Sequence, residues 1–320
     1  MGRIVATHRV LPPTREAASA AGMTLDAPTE ERFTPSELET LLPNAEALMV
    51  FMPDRVDAAV LDAAPKLRIV AGALKGYDNL DVDACAERGI WLTYVPDHLT
   101  EATAELALTL ALGLLRRVGP GDRVVRAGDF AGWRPILYGS TLVGARVGIV
   151  GMGLVGAAAA RRFQALGSTV VGCDPHVPEA HEDDLDALLA SCDVIVLAAP
   201  LLPETEGLLD ADAIARMRPG AYLVNVARGS IVDEAAVAAA LADGHLAGYA
   251  ADVFAVEDRS RPDRPRSIPA ALLEQHDKTL FTPHLGSAVH DVRVAIEGDA
   301  LASILDALGG TAPRNALNRP

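Results

Sequence analysis

Cysteine is scarce in this 320-residue chain. Cys85, Cys173 and Cys192 share no C-x-x-C spacing, so the thiols give neither a disulfide framework nor a zinc site, no metal is expected, and a reducing cytoplasm is the compartment they imply. Cations are also short. With 28 Lys and Arg against 43 Asp and Glu, the net charge is −15 and the pI near 4.9. Such a surface repels polyanions, which argues against nucleic acid and acidic membranes as partners, and an anionic substrate has to be held by a local group of cations. Long apolar runs free of turn residues are missing as well. Residues 1–20 hold no signal core, and the apolar stretch 142–160 is broken by Arg146 and by glycines, so neither a targeting segment nor a membrane span is expected. Aromatics are only 4%, yet half of the residues are hydrophobic, enough for two ordinary domain cores.

The stretch 146–174 organises the rest. Residues 146–150 form a short β-branched run, and Gly151-Met152-Gly153-Leu154-Val155-Gly156 follows in G-x-G-x-x-G spacing. The first glycine permits the turn, the second lets a backbone approach a pyrophosphate, and the third lets the next helix pack on the strand. That Ala-rich helix, 154–166, offers unpaired N–H groups and a partial positive charge to phosphates before Gly167 stops it. A second strand, 169–173, ends at Asp174, eighteen residues after Gly156, where an acid accepts the ribose hydroxyls of NAD and repels a 2′-phosphate. Strand, turn, helix and acid agree on a dinucleotide site.

Around it the chain alternates between strand and helix. Strands are expected at 3–7, 46–51, 67–71 and 90–94, with helices at 14–21, 57–64 and 81–88, and Thr34-Pro35-Ser36-Glu37 is a capping box for another helix to about residue 42. Residues 103–115 are apolar on almost every face, which predicts a helix buried between lobes or between subunits. Beyond the glycine turn, strands are expected at 194–198, 222–225, 248–252 and 279–281, with helices near 185–190 and 234–242. A helix over 288–308 should carry the chain back. The expectation is therefore α/β: two Rossmann-like, doubly wound parallel-sheet lobes, 1–98 plus 291–320 and 99–290, with the active site in the cleft between them.

Three motifs stand at the ends of expected strands, where open α/β sheets bind ligands. They are Asn225-Val226-Ala227-Arg228-Gly229, Asp252-Val253-Phe254-Ala255-Val256-Glu257 and Thr282-Pro283-His284-Leu285-Gly286-Ser287. A fixed cation, a carboxylate and an imidazole beside a dinucleotide make a hydride-transfer site. Arg228 would hold an anionic substrate, His284 would act as base, and Glu257 would orient the His. Each motif alone is ambiguous.

Jointly, and over essentially the whole chain, they resemble the D-2-hydroxyacid dehydrogenase superfamily. Within it the chain resembles the phosphite (phosphonate) dehydrogenases, through Phe51-Met52-Pro53-Asp54-Arg55-Val56-Asp57, Leu74-Lys75-Gly76-Tyr77-Asp78-Asn79, Trp91-Leu92-Thr93, Thr103-Ala104-Glu105-Leu106, Gly132-Trp133 and the runs 248–254 and 281–289. The resemblance implies NAD as cofactor, phosphite as substrate, a homodimer with 103–115 at the contact, and Lys75 with Arg228 on the substrate oxygens. It implies a pocket lined by Met52, Leu74, Gly76, Trp133, Tyr138 and Ser287, with Asp78 orienting the Lys75 loop and Arg293 behind the pocket. It also adds Thr103, Pro175, Ala199, Pro200, Val226, Ala227, Asp252 and Gly286 to the cofactor contacts of residues 151–156 and Asp174. The chain departs from that pattern at 258–262, where an aromatic residue usually follows the acid, and at Ala255, which replaces a common acid. A small D-2-hydroxy acid or glyoxylate is the alternative substrate, and a cofactor-sensing corepressor or scaffold the alternative role.

Overall fold

The computed structural model describes residues 2–177, 184–261 and 263–320. They divide into two compact units, Met1–Leu99 with Ala288–Pro320, and Thr100–Ser287. The expected boundaries lie one and three residues away, because Ala288 and Val289 go with the helix they lead into.

The first unit is built on five parallel strands, β1 (Arg3–Ala6), β2 (Thr24–Asp26), β3 (Ala47–Val50), β4 (Ile69–Gly72) and β5 (Trp91–Thr93), ordered β2-β1-β3-β4-β5. Every residue of β3 and β4 is buried, as central strands of a two-faced parallel sheet require. Strand β2 was not expected. It is a three-residue edge strand pairing only with β1, and its residues are exposed or half-buried, so it carries no apolar run to read. The helix His290–Leu308 packs on β4 and β3, and Ile296, Ala300, Ile304 and Ala307 form its buried stripe. The capping box at Thr34 is present, with the Glu37 N–H donating to the Thr34 hydroxyl and the Thr34 N–H to the Glu37 carboxylate.

The second unit holds six parallel strands, β6 (Arg146–Val150), β7 (Thr169–Cys173), β8 (Val194–Leu197), β9 (Ala221–Asn225), β10 (Leu246–Ala251) and β11 (Thr279–Phe281), ordered β11-β10-β9-β8-β6-β7. Strand order reverses at β6, and the glycine turn leaves its C-terminal end. The apolar helix runs over Thr100–Leu115 and buries Ala104, Ala107, Leu110 and Ala111 within this unit, against the helix Leu154–Ala165 and the strands β9 and β10. Leu106, Leu108 and Leu112 on the same helix are only half-buried within the unit. A helix at Val118–Arg126, not among the expected elements, starts from Arg117 in a left-handed conformation (φ 54°). Among the described residues no helix is long and apolar enough to cross a membrane.

Candidate active site

In the second unit the glycine turn has the form its spacing implies. Gly151 sits at φ +91°, where L side chains are strained, and a Cβ on Gly156 would lie 1.9 Å from the Gly151 oxygen. A Cβ on Gly153 would meet nothing within 4 Å. Gly153 caps the helix Leu154–Ala165 without any side-chain bond, so the first N–H groups have no side-chain cap. Asp174, just past β7, accepts the Met152 N–H at 2.8 Å and the His176 N–H at 2.9 Å, which braces the turn. Uncapped N–H groups, an open approach at the second glycine and an acid at the end of β7 fit the pyrophosphate and ribose of a dinucleotide. Ala199 and Pro200 follow β8, and Val226 and Ala227 follow β9, on the same C-terminal edge of the sheet.

The His284 ring and Glu257 meet, with Nδ1 2.7 Å from Oε2. That contact assigns the ring proton to Nδ1 and leaves Nε2 as the acceptor. Glu257 is fixed from behind, since its Oε1 accepts the Phe254 N–H at 2.7 Å. His284 itself stands in a left-handed conformation (φ 57°) that its loop enforces. Its N–H donates to the Asp252 carbonyl at 2.8 Å. The buried Asp252 carboxylate accepts the Thr282 hydroxyl and the Leu285 N–H at 2.6 Å each, and the Gly286 N–H at 2.8 Å. Burial raises the Asp252 pKa, and these donors oppose the shift. Asp252 is therefore an anchor of the His284 loop, while Thr103 reaches the same loop by donating to the Gly286 carbonyl at 3.1 Å. Ser287 is buried at the end of the unit.

Arg228 is half-buried at the start of a 3-10 turn, Gly229–Ile231, and its Nη1 donates to the Ala227 carbonyl at 2.9 Å. Asn225, fully buried at the end of β9, shapes this loop by accepting the Ala227 N–H at 3.0 Å and donating to the Arg228 carbonyl at 2.9 Å. The second unit so brings Arg228, Asp252, Glu257 and His284 onto neighbouring loops.

The first unit gathers the other expected residues at the C-terminal ends of β3 and β4. Leu74 is buried, while Lys75, Gly76 and Asp78 are half-buried. Burial lowers the Lys75 pKa, partly countered by Asp97. Arg293 joins the two loops, its Nη1 donating to the Ala73 carbonyl at 3.3 Å and its guanidinium 5.5 Å from the Phe51 ring centre. Met52 lies on the first loop, held by a 2.8 Å bond from the Asn79 amide to its carbonyl. Two residues expected in the pocket are highly exposed within the second unit. Trp133 is 83% exposed and Tyr138 76%, in a segment that also exposes Phe130 and Ile136. Sequence reasoning missed Glu234 and Asp258, buried acids behind the Glu257 turn. The departure at 258 has a structural use, since Asp258 accepts the Ser230 N–H at 2.7 Å and ties the two turns together; Pro262 lies outside the described residues.

Residues 108–286 match the family model for the D-isomer specific 2-hydroxyacid dehydrogenase NAD binding domain. The chain belongs to that family. It is an NAD-dependent oxidoreductase of the group, and NAD is the cofactor its glycine turn serves. A glyoxylate reductase of Thermococcus onnurineus is 34% identical over 288 residues, 86% of this chain and 84% of that protein. A D-3-phosphoglycerate dehydrogenase of Mycobacterium tuberculosis is 38% identical over 289 residues, and the match spans 53% of that longer protein. Among solved structures, a protein of Thermus thermophilus superposes with a TM-score of 0.90 at 34% identity, over 99% of this chain and 100% of that one. The NADPH-dependent glyoxylate/hydroxypyruvate reductase of Sinorhizobium meliloti gives 0.84 at 28% identity, over 100% and 98%.

Proposed function

We propose that the chain oxidises phosphite to phosphate with NAD. Lys75 carries this reading: a partly desolvated ammonium stands in the loop after β4, within the runs 51–57 and 74–79 that resemble the phosphite enzymes. A dianion needs more compensating charge than a carboxylate, and Lys75 and Arg228 supply two cations to its oxygens. NAD supplies the hydride acceptor. The P–H bond breaks with its electron pair leaving as hydride, a water oxygen bonds to phosphorus, and Nε2 of His284 takes the proton that this water loses. Glu257, at 2.7 Å from Nδ1, stabilises the imidazolium that results. The cations stabilise the charge spread over the phosphorus oxygens in the displacement.

The names of the relatives favour a second reading, a D-2-hydroxy acid dehydrogenase or glyoxylate reductase, in which the same imidazole deprotonates a carbinol as hydride leaves carbon. One panel separates the two: NADH formation with phosphite, glycolate, D-lactate and D-glycerate, and NADH consumption with glyoxylate. The expected result is reduction of NAD with phosphite. Lys75→Ala should raise the KM for phosphite about ten- to hundredfold, the weight of a hydrogen bond to a charged group at roughly 1.5–3 kcal/mol. Turnover of a hydroxy acid with phosphite inert would establish the second reading instead.

We also propose a homodimer. The contact is expected at 103–115, where Leu106, Leu108 and Leu112 are half-buried, and Phe130, Trp133, Ile136 and Tyr138, exposed together on one segment, extend it to 129–138. Sedimentation equilibrium should give twice the chain mass, and Trp133→Glu should shift the protein to monomer. A wild-type protein that stays monomeric at high concentration contradicts this.

A further inference from the structure

Two 3-10 turns present the charged groups of the second unit. Arg228 precedes Gly229–Ile231, and Glu257 ends Ala255–Glu257. The turns touch: a Cβ on Gly229 would stand 1.9 Å from the Ala255 nitrogen and from the Phe254 carbonyl carbon. Three carboxylates hold the junction. Glu257 accepts the Phe254 N–H and pairs with His284, Asp258 accepts the Ser230 N–H, and Glu234 accepts the Ala255 N–H at 2.7 Å through Oε1. Glu234 begins the helix Glu234–Asp243 and is only 5% exposed. Its Oε2 is buried without a hydrogen-bond partner among the described residues. An anionic oxygen in that position has lost its water and found no donor, which favours the protonated acid.

We propose that Glu234 is a positioning residue of the hydride-transfer site: as a neutral acid it clamps the turn that presents Glu257, and on ionising it strengthens His284 as a base through Glu257. This deepens the reading of His284 as the base and rests on it. Burial pushes the Glu234 carboxyl up to about 7; the Ala255 N–H opposes that shift, and Asp258, Glu257 and Asp233 add to it. The titratable groups facing Glu234 are those three acids and the buried Tyr249 of β10. When Glu234 loses its proton, a second anion appears beside the Glu257 carboxylate, and the combined negative charge favours the imidazolium. While Glu234 keeps its proton, the imidazole is better placed to stay neutral and to accept the proton of the attacking water.

The test is Glu234→Gln, whose amide oxygen still accepts the Ala255 N–H but cannot ionise. The His284 ring is followed by NMR in histidine-labelled protein, its signal assigned by loss in His284→Asn. In Glu234→Gln the titration midpoint of that signal should fall by about half a unit and the curve should sharpen, since removing an anion disfavours the imidazolium. The acid limb of kcat/KM should move to lower pH by the same amount. Glu234→Leu, which removes the clamp, should lower kcat more than tenfold, and Gln should restore most of it. Superimposable titrations of wild type and Glu234→Gln would overturn the proposal, whether or not Glu234→Leu folds. The NMR readout needs no substrate. A shifted midpoint with every substrate inert supports the coupling and removes the substrate reading, whereas turnover with unchanged titrations does the reverse.

Discussion

Replacing His284 by Asn will lower kcat by about 10²- to 10⁴-fold, the usual weight of a positioned general base. The choice of Asn isolates the chemistry. Position 284 has a φ of 57°, a region costly for most side chains, and Asn is among the few residues that enter it readily. The backbone bonds that fix the loop, from the His284 N–H to the Asp252 carbonyl and from the Leu285 and Gly286 N–H groups to the Asp252 carboxylate, do not involve the ring. An Asn amide can still donate to Glu257. It cannot take a proton at neutral pH, so what is lost is the acceptor at Nε2. Steady-state rates with the substrate that the panel identifies, beside NADH affinity by fluorescence, make the comparison. NADH affinity should change little. A variant turning over within threefold of wild type would remove His284 as the base and leave the Glu257 contact a structural pair.

What could be read in the sequence was local. The glycine turn, its strand and Asp174 lie within thirty residues, and the Gly151 conformation and the Asp174 bond to the Met152 N–H follow from that short spacing. Central strands such as β3 and β4 announce themselves as apolar runs because both faces are covered. The motifs holding Arg228, Glu257 and His284 stood out for the same reason, each being a short run at a strand end. What escaped depended on partners far along the chain. β2 is a strand only because β1 offers it an edge. Glu234 and Asp258 are buried only because turns far along the chain fold over them.

Glu234 is the sharpest case. Asp233-Glu234 at a helix start reads as a cap followed by an acid favouring the positive end of the helix dipole, and Asp233 does cap, accepting the Ala235 and Ala236 N–H groups. Nothing in that pair reveals that the second acid turns inward to Ala255, twenty-one residues on.

That inward turn has a thermodynamic consequence, because an acid forced to stay neutral makes stability depend on pH. Relative to wild type, Glu234→Gln will become more stable as pH rises from 4.5 to 7, by about 3 kcal/mol, and the difference will then level off. The ordinary carboxyl value is 4.5, and burial holds the folded group near 7. Below 4.5 both folded and unfolded chains carry the proton, so the site contributes no pH dependence. Between 4.5 and about 7 the unfolded chain releases its proton while the folded one keeps it. The folded state then binds more protons, and wild-type stability falls with rising pH at about 1.4 kcal/mol per unit. Above 7 both forms are ionised and the slope vanishes. Gln has no proton to release and escapes the loss. Denaturant unfolding of both proteins at pH 5, 6, 7 and 8 gives the difference directly, and changes common to the rest of the molecule cancel. A difference that stays flat across this range would mean that Glu234 is ionised in the fold. The junction of the two turns would then be held by an anion with donors enough to stabilise it, and the charge beside Glu257 would be constant rather than switched.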